Sequence, residues 1–322
     1  MFVNPLAAVL VLGGIFWLIG GERHRARVAE FDILGAILAT GGMLLLVFTL
    51  VKAPDQGWGS TVTIAELAGA FALLAAFVIK ELRTINPLMP LSIFRIRGLA
   101  AADATQLVAF AGLLAMFFFL TLYMQNVLGY SPIQTGAAYL PLTFAVGVAA
   151  GISSQLLPRI GTQPVIVAGA LIGSGGAYWL SRIPVHGSYL TALLPGMIVF
   201  ALGLGAMFVA VTTAANAGVP PDRAGLAAAL LNASQQVGGA LGLAIFSAIA
   251  TSRINHLLAS NTPPADALTS GFQRALLASS IFLLAAAVVA LRITNTRGEE
   301  PQPGTETQGG REPEALPQPV HA

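Results

Sequence analysis

Nine long apolar segments separated by short polar loops occupy most of the chain, at roughly 3–20, 33–51, 62–79, 99–124, 133–157, 164–181, 189–211, 224–250 and 275–291. Each is near the 17–25 apolar residues that a helix needs to cross a hydrocarbon core about 30 Å thick. No water reaches that core to pair with backbone N–H and C=O groups. A helix pairs them internally and is the expected form of every span. Charged residues are 9% of the chain and hydrophobic ones 56%, a surface suited to lipid rather than water. The sequence predicts an all-α integral membrane protein with about nine transmembrane helices, its partner the lipid bilayer.

Several chemistries are set aside by what the chain lacks. A net charge of +2 carried by loop arginines gives no nucleic-acid footprint. There is no cysteine, which excludes disulfides, thiolate metal sites and cysteine nucleophiles. His24, His186, His256 and His321 are scattered without metal-ligand spacing. No phosphate-cradling glycine loop with its lysine occurs either. No cofactor, metal or enzymatic activity is expected. The start does not read as a signal peptide, because the arginines follow the first apolar run.

The loops carry the topology. Arg23, Arg25, Arg27, Lys80, Arg83, Arg95, Arg97, Arg159, Arg223, Arg292, Arg297 and Arg311 alternate onto one side. Only Lys52, Arg182, Arg253 and Arg274 fall on the other. The positive-inside rule places the first set in the cytoplasm, with Met1 outside and the C-terminus cytoplasmic in a plasma (inner) membrane. The stretch 22–31 reads as a cytoplasmic connector and 80–98, with Asn86-Pro87 and Met89-Pro90, as a cytoplasmic link. The turn around 54–59 closes a hairpin, and 251–274 reads as an exposed outer loop. The Gly-, Pro-, Glu- and Gln-rich end reads as a disordered tail. Pro141 and Pro195 are expected to kink their helices.

Gly147/Gly151, Gly169/Gly173 and Gly238/Gly242 have the spacing that clears one helix face for close packing. Such faces serve either static packing or the sliding of helices in a transport cycle. Charge at membrane depth costs about 2.5–3.5 kcal/mol on insertion scales. Asp103, one turn into the fourth segment with Gln106 a turn further, therefore stands out. It either faces a cavity, where it binds a proton or a cationic substrate, or is a helix-start carboxylate near Arg95 and Arg97, favoured by the helix dipole. In the eighth segment Asn232, Gln235 and Gln236 stand at i, i+3 and i+4 and share a face. Buried amides need partners, so these either join helices or line a cavity. Gln134, Thr135 and Tyr139 form a weaker polar stripe in the fifth segment.

Several segments resemble one family. Leu128-Gly129-Tyr130-Ser131-Pro132-Ile133-Gln134-Thr135-Gly136 through Leu140-Pro141 is similar to the entry into the tenth helix of fourteen-helix drug:proton antiporters of the major facilitator superfamily. Ala217-Gly218-Val219-Pro220-Pro221-Asp222-Arg223 through Gly238-Gly239-Ala240-Leu241-Gly242 resembles their entry into helix thirteen. Phe31-Asp32-Ile33-Leu34-Gly35 resembles the start of helix seven, Asn86 to Arg95 the connector before helix nine, and Phe2-Val3-Asn4-Pro5 the opening of helix six. Pro158-Arg159-Ile160-Gly161-Thr162-Gln163 is similar to a degenerate form of the family's loop motif, with proline in place of its acid. Gln235 stands where many relatives carry arginine.

The resemblance implies the C-terminal part of a major facilitator fold, without the first five helices and their antiporter motifs. It implies 1–31 as the last helix of the N-terminal bundle with a connector, 32–98 as an inserted helix pair with a link, 99–295 as a C-terminal six-helix bundle, and 296–322 as tail. The function implied is efflux of drugs or small amphiphilic molecules by proton antiport through alternating access, incomplete in this chain. The alternative is a non-transporting remnant, or a half that needs a partner chain supplying a missing N-terminal half. Gln106, Tyr139, Asn232 and Gln236 are the candidate substrate-lining residues and Asp103 the candidate for proton coupling.

Overall fold

The computed structural model describes residues 13–14, 32–84, 93–94, 96, 98–220 and 223–297. The expected first helix thus lies outside the described residues, apart from the helical pair Gly13–Gly14, as do most of the link before residue 98 and the tail beyond 297. Within them the fold is all helical: α1 Ile33–Gln56, α2 Thr61–Arg83, α3 Leu99–Asn126, α4 Pro132–Ala138, α5 Leu140–Ile160, α6 Thr162–Leu180, a π-helical turn Tyr189–Leu193, α7 Leu194–Asn216, α8 Ala224–Ala259 and α9 Pro264–Ala290. Seven of the resulting rods, with α4–α5 and the π turn–α7 each taken as one, are long and apolar enough to cross a membrane. The exception is α6, which spends Gly169, Gly173 and Gly176 on packing rather than on apolar side chains. The expectation of nine spans thus becomes seven among the described residues.

Chain direction alternates, so the turns gather at two ends. One holds Gly57–Ser60, residues 127–131, 181–188 and 260–263; the other holds Asp32, Gly161, residues 217–220 and 291–297. The 57–60 turn is closed by Gly57 at a φ of 89°, a value that suits glycine, and by Thr63 Oγ1 donating to the Gly57 carbonyl at 3.0 Å.

Two expectations need correction. Residues 251–274 are helix, not loop, except for 260–263, and the last span begins at Pro264 rather than 275. Polar side chains such as Arg253 and His256 end an apolar run but leave the backbone free to stay helical. The helix stops only where Asn261 takes a φ of 57° and two prolines follow. Just before Pro141 the helix is interrupted at Tyr139, between α4 and α5, and just before Pro195 it passes through the π-helical turn, so each proline follows an irregular turn of its rod.

The bundle α3–α9 packs through backbone contact. A Cβ on Gly203 would run into the Gly173 and Gly169 backbone, one on Gly238 into Leu107, and one on Gly242 into Ala111. These glycines bring α6 onto α7 and α8 onto α3. Gly147 and Gly151 behave otherwise: nothing lies within 4 Å of either. Serines then pair buried carbonyls, Ser174 with Ser280 at 2.9 Å in both directions and Ser279 Oγ with Gly112 O at 2.7 Å. Past α9, Thr162 N–H donates to Thr296 O and Gln163 N–H to Asn295 Oδ1, at 2.8 and 3.1 Å. The chain thereby straps the Gly161 turn.

Candidate functional site

The hairpin α1–α2 leans on α8, and the space between α1, α3 and α8 is a groove of about 680 Å³. Thr40, Met43 and Val47 of α1, Leu114 of α3, and Ala233 and Gln236 of α8 line it. A second cavity of about 520 Å³ adjoins it, walled by Phe118, Phe119, Leu122, Ser247 and Phe272. Val51 and Leu243 line both, so the two lie side by side along α8, mostly apolar with a few polar groups. That is the composition of a site for a small amphiphile: area for apolar burial, and sparse hydrogen-bonding groups that orient the guest.

The five residues singled out by sequence fall in different settings. Gln236 reaches the groove from the α8 face opposite the Gly238 and Gly242 contacts. Asn232, one turn earlier, is exposed, and its Nδ2 donates to Ala228 O of its own helix at 2.9 Å. Tyr139 is half-buried at the α4–α5 break. Its hydroxyl donates to Phe117 O at 3.0 Å and lies 2.9 Å from Thr121 Oγ1, while its ring stacks tilted on Phe117 at 5.2 Å. Those contacts fasten the break to α3. Gln106 and Asp103 are both buried in α3, one turn apart.

Asp103 is the least ordinary of these. It is 7% exposed, and both carboxylate oxygens are buried without a hydrogen-bond partner among the described residues, which do not include Arg95 or Arg97. An ionised carboxylate so placed is expensive unless paired. Proton uptake or a bound cation would each relieve that cost.

Sequence reasoning missed a polar cluster at the base of the hairpin. Asp32 caps α1 through Gly35 N–H at 2.8 Å and pairs with Lys80, with Glu81 buried beside it. Lys80 and the Gly35 N–H together hold the Asp32 carboxyl below its ordinary value. The signal was available: α1 and α2 have 24 and 23 residues, so the start of one must meet the end of the other. Thr40 in the groove carried no such signal.

Set against known families, residues 5–243 match the Major Facilitator Superfamily. The chain belongs to that superfamily. It is a multi-pass membrane protein of a transporter family, not an enzyme. The puromycin resistance protein pur8 of Streptomyces alboniger is 35% identical over 310 residues, 93% of this chain and 60% of that protein. The tetracenomycin C resistance and export protein of Streptomyces glaucescens is 33% identical over 79% of this chain and 47% of its own length. The cephamycin export protein CmcT of Amycolatopsis lactamdurans is 32% identical over 90% and 59%. The chain spans about half to three fifths of these curated relatives, which agree by name with the drug-exporter branch that the sequence motifs resemble.

Proposed function

We propose that the protein works in efflux of drugs or other small amphiphilic molecules across the plasma membrane, in exchange for protons and by alternating access. The arginine-rich end of the bundle faces the cytoplasm in this reading. Residues 32–98 form the inserted pair with its link, and 99–295 the C-terminal bundle that moves against complementary helices. Gln106, Tyr139, Asn232 and Gln236 line the substrate path at different stages, Gln236 from the groove. Asp103 carries the proton. The observation that carries the proposal is the Asp103 carboxyl, buried and without a hydrogen-bond partner among the described residues, in a member of a transporter superfamily.

The energetics allow it. Export against a hundredfold gradient costs about 2.8 kcal/mol. One charge moving through roughly 120 mV supplies as much, at about 2.3 kcal/mol per 100 mV. The names of the export and resistance relatives support the substrate class.

Everted membrane vesicles holding the full-length protein test the coupling. An imposed pH gradient should drive uptake of a cationic dye, and collapsing the gradient should stop it. Asp103→Asn should lower gradient-driven flux about tenfold, a loss of ~1.4 kcal/mol, while dye still flows down its own gradient. Unchanged pH-dependent flux in that variant removes Asp103 from the mechanism. Flux indifferent to the gradient in the unaltered protein removes proton antiport.

A half that works only with complementary helices is the second reading. The bare Gly147/Gly151 face, flanked by Phe144 and Val148 at 76% and 42% exposed, favours it.

A further inference from the structure

At the end of the bundle that carries few cations, four stand: Lys52, Arg182, Arg253 and Arg274. Lys52 lies over the Phe48 ring at 4.3 Å, and Arg182 donates to Tyr178 Oη and stacks on that ring. The other two converge. Arg253 of α8 and Arg274 of α9 line one groove of about 580 Å³, together with His256, Ser252, Ala248 and Ile249. Arg253 Nε donates to Ser270 Oγ at 3.0 Å, which fixes the plane of its guanidinium. Neither arginine forms an ion pair among the described residues, Asp266 in the first turn of α9 included.

Ile249, 37% exposed, lines the groove beside the arginines. Ile281 and Val288, 57% and 61% exposed, follow Arg274 at seven-residue steps and so continue its face of α9 toward the other end of the bundle. With 36 residues α8 is about 54 Å long, well beyond a hydrocarbon core of about 30 Å. Its last turns, with Arg253 and His256, therefore stand among headgroups.

We propose that this groove binds the phosphate of an anionic phospholipid, its acyl chains lying along Ile249, Ile281 and Val288. Two guanidinium groups present paired N–H donors that match phosphate oxygens. With no carboxylate paired to them, the site favours a lipid carrying net negative charge over a zwitterionic one. The apolar stripe is what separates a lipid from a soluble phosphate, which would use the arginines alone. This inference needs only that the chain lies in a membrane, and it stands apart from the transport reading.

Native mass spectrometry of the full chain, purified and offered phosphatidylglycerol or phosphatidylcholine, tests it. Phosphatidylglycerol should be retained and phosphatidylcholine lost. The double variant Arg253→Gln/Arg274→Gln should bind phosphatidylglycerol about tenfold more weakly or worse, the loss expected for charge-assisted bonds. Arg274→Lys should keep part of the binding, and Arg182→Gln all of it. Equal retention of both lipids, or full retention by the double variant, overturns the proposal. Displacement of the lipid by inorganic phosphate at comparable concentration also overturns it, in favour of a soluble-anion site. Should the double variant not purify as a monodisperse species, Arg274→Lys and the phosphate competition decide the matter.

Discussion

Helices α1 and α2 of the hairpin and α3 of the bundle are equally apolar, with a mean hydropathy of 2.3, yet hairpin and bundle are held by different forces. In α3, 56% of the most apolar window is buried inside the protein; in α1 and α2 the figures are 28% and 17%. Bundle helices touch backbone to backbone through Gly203, Gly238 and Gly242. The hairpin helices meet through side chains, with Leu74 over Gly42 and Leu45 over Gly69, and are fastened at their ends by Asp32–Lys80 and by the Gly57 turn. Lipid tails are as apolar as leucine, so side-chain contact alone gains little over contact with lipid. The close-packed glycine contacts make the bundle a unit, and their scarcity leaves the hairpin as a wall that leans on α8.

The largest test of that contrast is steric. Gly203→Leu should cost about 3 kcal/mol or more by overpacking, read as loss of a monodisperse peak in detergent. Gly147→Leu, with open space around it, should purify unchanged. Equal behaviour of the two would break the distinction between packed and bare glycine faces. Next comes the groove between the two regions. Gln236→Trp should fill it and shift the relative export of large and small dyes about tenfold, or ~1.4 kcal/mol, in the full-length transporter. An unaltered dye profile would remove Gln236 from the substrate path.

Smaller effects sharpen the picture. Ser279→Ala, which deletes a 2.7 Å bond from α9 to α3, should lower stability by about 0.6 kcal/mol, the average for interhelical bonds in membranes. Thermal unfolding in detergent measures it. The smallest effect belongs to the base of the hairpin. Because Lys80 and Gly35 hold Asp32 below 3.8, its contribution is complete above that pH and fades as pH falls through the lowered value. Asp32→Asn should therefore increase hydrogen exchange in the first turn of α1 at neutral pH and make no difference in strong acid. A difference that persisted in acid would mean the pair does not tie the hairpin.

Much of the frame was legible from local chemistry. The apolar runs placed α1, α2, α3 and α6 to within five residues, and the collinear motifs named the superfamily that residues 5–243 match. The error at 251–274 came from reading polarity as an end of helix. Arg253 and His256 leave the span, but α8 continues through them until Asn261 and the prolines. The amides of α8 were legible as a group but not in their orientation: Gln236 enters a groove while Asn232 bonds its own helix.

By itself the sequence located most of the stretches that suit lipid, because hydropathy measures what a residue gives up on leaving water. Only the tertiary structure decided which glycine faces meet a neighbour, that Tyr139 is tied to α3, and that Arg253 and Arg274 open on one groove. In a bilayer the residues facing lipid and those facing protein are alike in polarity. The choice between them is made by shape and by backbone approach, and these exist only once the helices are packed.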